Sequence, residues 1–184
     1  MLEKLYISEA TYNDVKGILE INHQFSESRD SEDGFLVIKY NEADIKDSIT
    51  SHITTFYLVK ESQENLLCYA RVSKVFDEKL LDGMRWNRED SRHLLSSLLK
   101  SRYLHISQVA VKRGFHRQGI ASFLYEYIGD FGLPILVFVA LKPFRNFASY
   151  SFHESRGYTQ IGTLQRSEFG PYKKYESLCY IRQI

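Results

Sequence analysis

The 184-residue sequence contains only two cysteines, Cys68 and Cys179, and they form no CxxC pair. This favours reduced thiols in a cytoplasmic protein, although a single disulfide is still allowed. Long apolar runs are also missing: the longest, Leu133–Leu141, is too short to span a bilayer and is interrupted by Pro134. The first ten residues lack the apolar stretch of a signal peptide. We therefore expect a cytoplasmic protein that does not bind membranes.

An excess of either charge is missing as well, because 24 Lys and Arg residues stand against 23 Asp and Glu residues. A net charge of +1 argues against a protein built around nucleic-acid binding, which usually has a basic excess or stripe. The nucleotide-binding motifs GxxxxGK(S/T) and GxGxxG do not occur. His153-Glu154 does not begin an HExxH zinc motif, because Gly157 occupies the place of the second histidine. We therefore predict no metal site.

The pattern of apolar residues predicts one domain over residues 1–184 that mixes helices and strands. Thr11 and Asn41, each followed by an aspartate three residues later, are predicted helix N-caps. Residues 76–100 are predicted to be an insertion that contains a short helix. The predicted strands are Leu2–Ile7, Phe56–Lys60, Leu66–Val75, Tyr103–Val111, Leu133–Leu141, Thr159–Leu164 and Ser177–Arg182.

The strand Tyr103–Val111 carries an irregularity. Leu104 and Ile106 are apolar at even positions, whereas Val109 and Val111 are apolar at odd positions. Because side chains alternate between the faces of a strand, this shift predicts one extra residue, a β-bulge, near Ser107-Gln108. Bulges are common beside active sites, where they interrupt the strand ladder and free backbone groups.

A loop that contains Gly119 follows this strand and opens the most regular helix of the chain. The apolar residues of the helix recur at helical spacing: Ile120, Phe123, Leu124, Tyr127 and Ile128. The first amide groups of a helix have no partner inside it, and the helix dipole adds positive potential there. The loop is therefore a candidate phosphate site. The alternative is a tight turn in which Gly119 serves only packing.

The hexapeptide His116-Arg117-Gln118-Gly119-Ile120-Ala121 resembles the pyrophosphate loop of the GNAT N-acetyltransferase superfamily, (Q/R)xxGx(G/A), placed where a bulged strand meets a helix. Gly119 and Ala121 match, and His116 departs from the usual first residue. Downstream, residues 146–158 are similar to the family pattern Nxx(A/S)xx(L/F)YxxxG(F/Y). The matches there are Asn146, Ser149, Phe152, Gly157 and Tyr158.

This resemblance implies a single GNAT domain of the α/β (α+β) class, with a mixed central β-sheet flanked by helices. It also implies a β-bulge in the fourth strand and a splayed, V-shaped cleft for acetyl-CoA between two central strands. The reaction implied is direct transfer of an acetyl group to a primary amine in a ternary complex. The residues implied to bind the cofactor are Val109, Ala110, Val111, His116, Arg117, Gln118, Gly119, Ile120, Ala121, Ser122, Asn146, Ser149 and Phe152.

The amine must lose a proton, because an alkylammonium with a pKa near about 10 is mostly protonated at neutral pH and cannot attack. His105 lies on the bulged strand where several GNAT members carry a glutamate or histidine as general base. A free histidine titrates near about 6.5, which suits this task, so we predict His105 as the base. The alternative is that His105 only hydrogen-bonds a neighbouring residue on the strand. Glu154 is a weaker candidate for the base.

A proton must also return to the CoA thiolate, and the family tyrosine that often supplies it is replaced here by His153. His153 could donate this proton, hydrogen-bond the CoA sulfur or serve the structure alone. Tyr150, about one helical turn earlier, is a substitute donor. We predict that His105 and His153 form an acid–base pair. Cys68 could in principle be an acetylated nucleophile, but a buried, inert thiol is expected inside an apolar strand.

The sequence does not identify the acceptor amine, and a homodimer is possible. The wall that binds the acceptor is expected in Phe25–Tyr40, Phe76–Lys100 and Ser167–Tyr175. The first of these segments contains the acidic residues Glu27, Asp30, Glu32 and Asp33. Small amines, amino acids, lysines and protein N-termini are all candidates. The alternative function is a non-catalytic sensor or regulatory module of the same fold that binds acetyl-CoA or CoA.

Overall fold

A computed structural model describes residues 4–26 and 34–183, so part of the expected first strand and the acidic residues Glu27, Asp30, Glu32 and Asp33 lie outside the described residues. Within those ranges, no helix is both long and apolar enough to cross a membrane. The elements are β1 (Tyr6–Glu9), α1 (Val15–Ser26), α2 (Glu42–Thr50), β2 (Thr54–Lys60), β3 (Leu66–Ser73), β4 (Met84–Trp86), α3 (Glu89–Lys100), β5 (Leu104–Val111), α4 (Ile120–Gly129), β6 (Ile135–Lys142), α5 (Phe147–Ser155), β7 (Thr159–Phe169) and β8 (Tyr172–Arg182).

Local capping explains where the first helices begin, as the sequence predicts. Thr11 and Asp14 form a capping box at the short 3-10 turn that leads into α1. At α2, the Asn41 side chain accepts from the Asp44 amide at 3.0 Å, and the Asp44 carboxylate accepts from the Asn41 amide at 2.8 Å. These bonds satisfy amide groups that the helix itself leaves unpaired. At α4 the N-cap is Gly119, which has no side chain that could accept a hydrogen bond from the first amide groups of the helix.

The strands form one mixed sheet in the order β1-β2-β3-β5-β6-β8-β7-β4. β5 and β6 are parallel, and the other neighbouring pairs are antiparallel. The connection from β5 to β6 runs through α4, so the three elements form a βαβ unit. Parallel strands need such a crossover, so the loop before α4 must lie at the carboxyl end of β5.

The predicted bulge is confirmed. Arg71 of β3 pairs with Gln108, and the next residue, Val72, pairs with Ile106, so Ser107 has no partner on β3. The bulged strand is the fifth in chain order and not the fourth, because the short β4 precedes it. Pairing between β5 and β6 ends at Ile106 and Val137, although both strands continue. The two strands therefore diverge towards their carboxyl ends.

Helices cover both faces of the sheet. On one face, Ile120, Leu124 and Ile128 of α4 are buried against Ile106 of β5 and Val137 of β6. Phe123 and Tyr127, which the helical spacing also placed on this stripe, are exposed. On the other face, α1 and α2 bury Ile18 and Ile45 against β2 and β3, and α3 packs Leu95 against the β6–β8 region. Burying each such side chain contributes on the order of 1.5–3 kcal/mol, which holds the diverging strands in a rigid frame.

Two segments differ from what the sequence predicts. The helix expected within residues 76–100 is α3, but the same segment also supplies β4, which pairs with Gly162–Leu164 of β7 at the sheet edge. β7 and β8 are longer than predicted and form one hairpin. Residues 167–175, which lie between the two predicted strands and were expected to form part of the acceptor wall, are therefore mainly the ends of these two strands. Three-residue edge strands leave too few alternating residues to be recognised by pattern.

Candidate functional site

The gap between the diverging ends of β5 and β6 opens into a cavity of about 910 Å³. Its wall draws on both faces of the sheet and on segments distant in sequence. All three segments that were expected to form the acceptor wall contribute side chains to it, among them Phe35, Phe76 and Tyr175. A cleft of this size, lined by aromatic groups and a few polar ones, is typical of a small-molecule or cofactor site.

The Gly119 loop lies at one side of this cavity, with His116, Arg117 and Ala121 in the lining. Gly119 has φ +80°, and a Cβ added there would meet no atom within 4 Å. The first amide groups of α4, those of Ile120, Ala121 and Ser122, follow directly and lack a capping side chain from Gly119. Free amides at a helix N-terminus beside open space fit a bound diphosphate.

The side chains of this loop hold its shape. The His116 ring donates through Nε2 to the Val111 carbonyl at 2.9 Å, and the Gln118 amide donates to the Gly114 carbonyl at 3.0 Å. Arg117 adopts φ +60°, an uncommon backbone conformation for a non-glycine residue. The departure of His116 from the family pattern therefore gives a brace between the loop and the end of β5.

Residues 109–111 form the part of β5 that borders the gap. Val109, Ala110 and Val111 pair with Ala70, Tyr69 and Cys68 of β3, whereas their pairing with β6 has already ended. All three line the cavity. The backbone groups on the β6 side of this segment are consequently placed to pair with an extended ligand, as an added strand would.

α5 contributes the opposite wall through Ser149 and Phe152. Asn146 caps this helix: its Oδ1 accepts from the Ser149 amide at 3.1 Å, and its Nδ2 donates to the Phe35 carbonyl at 3.0 Å. Asn146 also lines the cavity, but both ends of its amide are already engaged. Its role in the structure is to tie the start of α5 to the segment 34–38.

His153 is buried, with 1% of its surface exposed. Its Nδ1 lies 2.7 Å from the Ser149 carbonyl and must therefore carry the proton, while Nε2, 3.0 Å from the Tyr125 hydroxyl, accepts. Burial lowers the pKa of His153 to about 4, although the Ser149 carbonyl opposes this shift. Both ring nitrogens are thus hydrogen-bonded, although His153 also lines the cavity.

The other candidates for proton transfer are also engaged elsewhere. The Arg145 guanidinium stacks 4.2 Å above the Tyr150 ring, and Tyr150 is absent from the cavity lining in the described ranges. Glu154 accepts from the Tyr180 hydroxyl at 2.8 Å. Cys68 is fully buried, as predicted, and burial raises the pKa of its thiol well above the usual range. An inert thiol is the consequence.

His105 lies in the cavity near the point where β5 and β6 still pair. Its side chain is half-buried on the face opposite Leu104 and Ile106, with the ring edge-on to Phe76 at 5.2 Å and to Phe138 at 5.8 Å. Burial, followed by the nearby charges of Arg71 and Arg166, lowers the pKa of His105 to about 4. The ring is therefore neutral at pH 7, but it is a weaker base than the free histidine with a pKa of about 6.5 on which the sequence prediction relies.

A buried polar network lies beside the bulge and was not predicted from the sequence. Gln108 accepts from the Tyr69 hydroxyl at 2.6 Å and from the Asn22 amide at 3.1 Å, and it donates to the Ile38 carbonyl at 3.1 Å. The Asn22 amide reaches the same carbonyl. These bonds fasten the segment 34–40 to β5. The available signal was the isolated polar side chains, Asn22 and Gln108, within apolar stretches.

Comparison with known proteins agrees with this geometry. The model of the Acetyltransferase (GNAT) family matches residues 9–158, while no curated protein matches the chain in sequence. An acetyltransferase of the GNAT family from Streptococcus agalactiae has a similar structure, with a TM-score of 0.67, 18% identity, and coverage of 100% of this chain and 98% of that chain.

Two further structures are similar over nearly their whole length. Arabidopsis thaliana NAA60 in complex with acetyl-CoA has a TM-score of 0.67 at 10% identity, with 98% of this chain and 99% of that chain covered. The ribosomal-protein-S18-alanine N-acetyltransferase from Escherichia coli has a TM-score of 0.62 at 11% identity, with 97% and 92% covered. At such identities these two likenesses show the fold alone. The family match, however, spans most of the sequence and includes β5, the Gly119 loop and α5, so the chain belongs to the GNAT acetyltransferase family.

Proposed function

We propose that the protein transfers an acetyl group from acetyl-CoA to a primary amine by direct attack in a ternary complex. One observation supports the proposal above all: the Gly119 loop lies on one side of a single cavity, and His105 lies on the other. An N-acetyltransferase needs an anchor for the diphosphate and a proton acceptor near the thioester. The arrangement supplies a candidate for each.

The cofactor side acts mainly through main-chain groups. In this proposal, the amides of Gly119, Ile120, Ala121 and Ser122 hold the diphosphate, and each such contact contributes on the order of 0.3–1 kcal/mol. The backbone edge of Val109–Val111 that does not pair with β6 pairs with the pantetheine arm, apart from the Val111 carbonyl, which His116 already holds. Ser149 and Phe152 form the outer wall. The remaining loop residues, His116, Arg117 and Gln118, position these amides.

His105 receives the proton in the chemical step. The amine nitrogen attacks the thioester carbonyl, a C–N bond forms, and the nitrogen becomes acidic enough to give its proton to the neutral His105 ring. The C–S bond then breaks, and the products are the N-acetylated amine and CoA. General base catalysis of this kind contributes typically about 10²–10⁴-fold to the rate.

The leaving thiolate takes its proton from water in this scheme, and the imidazolium of His105 gives its proton to the hydroxide that remains. His153 donates to a carbonyl and accepts from Tyr125, and Tyr150 is not among the described residues that line the cavity, so the scheme assigns the proton donation to neither. We therefore assign His153 a positioning role: it fixes the first turns of α5, and with them Ser149 and Phe152, against α4. This assignment replaces the His105–His153 pair expected from the sequence.

The test has two stages. Thermal unfolding with acetyl-CoA, with CoA and without ligand measures binding, and saturation at about 100 times Kd should add about 2.7 kcal/mol of stability. Release of free thiol from acetyl-CoA is then followed over a panel of amines. A thermal shift with thiol release for at least one amine supports the enzyme. A shift without release for any amine would make the protein a CoA-binding module, and no shift would end both assignments.

A further inference from the structure

Two arginines lie on the same side of the cavity as His105. Ser73 of β3 is the strand partner of His105, and Arg71, two residues earlier, faces the same side of the sheet. Arg166 reaches the cavity from β7. Both guanidinium charges act on His105. The part of the cavity around the candidate base is therefore cationic.

Neither guanidinium is neutralised by an ion pair. Across residues 4–26 and 34–183, no carboxylate oxygen lies within 4.0 Å of Arg71 or Arg166. Arg71 donates to the Ser107 hydroxyl at 3.1 Å and to the Ser48 hydroxyl at 3.4 Å. Arg166 stacks on Phe169 at 4.4 Å, and its buried Nε has no hydrogen-bond partner among the described residues. A partly buried cation without a counter-ion is costly unless a ligand completes it.

The acidic residues of the cavity do not fill this role. Asp44, Asp47 and Asp77 line it, and all three are exposed. Asp77 acts on Arg166 only from a distance beyond an ion pair, and its side chain accepts from the Lys79 amide at 3.1 Å. The carboxylates are thus solvated, whereas the two guanidinium groups are half-buried beside the aromatic wall.

The cavity is also closed on the side of the β7–β8 turn. A Cβ on Gly170 would lie 3.2 Å from the side chains of both Val37 and Ile38, so the hairpin and the segment 34–38 are in contact. Phe35 and Tyr175 belong to one buried cluster between them. This contact restricts the room for an extended polypeptide on that side of the cavity.

We infer that the acceptor is a small amine that carries a carboxylate, with the carboxylate bound by Arg71 and Arg166 and the amine directed to His105. This inference rests on the proposed function. Arg forms paired hydrogen bonds with carboxylates, and the free Nε of Arg166 supplies a donor for one of them. The bound carboxylate also offsets the two charges that act on His105, so the acceptor itself strengthens the base that it needs.

The test compares L-amino acids with their L-amino acid amides, which keep the amine and lose the negative charge. With acetyl-CoA, thiol release should give a kcat/KM for the best amino acid at least about tenfold above that of its amide, because a site built for a polar group rejects an analogue that lacks it. Arg166→Gln should lower kcat/KM for the acid by about tenfold or more and leave the amide within about threefold. Arg85→Gln, an exposed arginine on β4 outside the cavity lining, is the matched control and should change neither.

Either of two results overturns the inference. In the first, the wild-type protein prefers amides or simple cationic amines; in the second, Arg166→Gln lowers kcat/KM equally for the acid and the amide. If no amine is acetylated although acetyl-CoA binds, the proposed function fails, and calorimetry of the same amino acids and amides into CoA-saturated protein decides the inference separately. Heat with an amino acid that is lost in Arg166→Gln supports the anion site. No heat, or equal heat with acid and amide, overturns it.

Discussion

The two sides of the cavity are built in different ways. The proposed cofactor side relies mainly on main-chain groups: the amides after Gly119 and the edge of Val109–Val111 that does not pair with β6. The proposed acceptor side relies on side chains from three strands, namely His105, Arg71 and Arg166. One side therefore depends on a contiguous segment of chain, and the other depends on how distant strands are arranged in the sheet.

This difference explains why the proposed cofactor side can be recognised from sequence, whereas on the proposed acceptor side only His105 is predicted and the two arginines are not. Main-chain amides are present at every residue, so what the sequence must encode is a backbone shape, and Gly119 with φ +80° encodes it locally. A side-chain pocket needs particular groups at one place in space, and here they are separated by up to 95 positions (166 − 71). The acceptor therefore has to be inferred from the folded arrangement.

The largest effect is expected on the acceptor side. His105→Ala should lower kcat by about 100-fold or more, because the general base is lost, and leave acetyl-CoA affinity within about threefold. Thiol release and calorimetry measure the two quantities. His93→Ala, an exposed histidine on α3, is the control and should be silent. A kcat reduced by less than tenfold would remove His105 from the chemistry.

The next effect belongs to the cofactor side. Gly119→Val forces a branched residue into the left-handed region, at a cost of roughly 1–2 kcal/mol, and should reorient the amides enough to weaken acetyl-CoA binding by about tenfold or more. Gly132→Val is the matched control, because Gly132 also has positive φ (+65°) and open space around its Cβ position. Both variants should lose similar stability. Equal acetyl-CoA affinity in the two variants would contradict the role of the Gly119 amides.

Much of the fold follows from local signals. The capping boxes at Thr11 and Asn41, the periodicity of α4 and the phase shift in β5 each reflect a preference of a few neighbouring residues, and each is confirmed. β4 escaped prediction because it is three residues long and exists only through its pairing with β7. The pair formed by His153 and Tyr125 escaped because sequence spacing does not reveal that two helices bring these side chains together.

A substitution in α5 is expected to have a smaller effect. His153→Phe keeps the aromatic contacts but leaves the Tyr125 hydroxyl without its buried acceptor, which should cost about 1–3 kcal/mol of unfolding free energy. We expect kcat at saturating acetyl-CoA to stay within about threefold of wild type. Thermal or urea unfolding and thiol release measure the two. A loss of kcat of about tenfold or more at unchanged stability would restore His153 as the proton donor.

The smallest expected effect is in the slope of log kcat/KM against pH. Burial and the two arginines lower the pKa of His105 to about 4, so the base form is present throughout pH 5.5–8 and is lost only below that range. Log kcat/KM should therefore rise with a slope of about one, from deprotonation of the acceptor ammonium alone. A slope near two below about pH 6.5 would show that His105 titrates as an ordinary histidine does.

We expect acetyl-CoA binding to depend above all on the main-chain amides at the start of α4, which hold the diphosphate in our proposal. Isothermal titration of the folded protein with acetyl-CoA and with S-acetylpantetheine, which lacks the diphosphate and the 3′-phosphoadenosine, measures the contribution of that half of the cofactor. We expect acetyl-CoA to bind about 100-fold more tightly, equivalent to about 2.7 kcal/mol from several amide contacts. Equal affinity for the two compounds, or no heat with acetyl-CoA, would contradict the account.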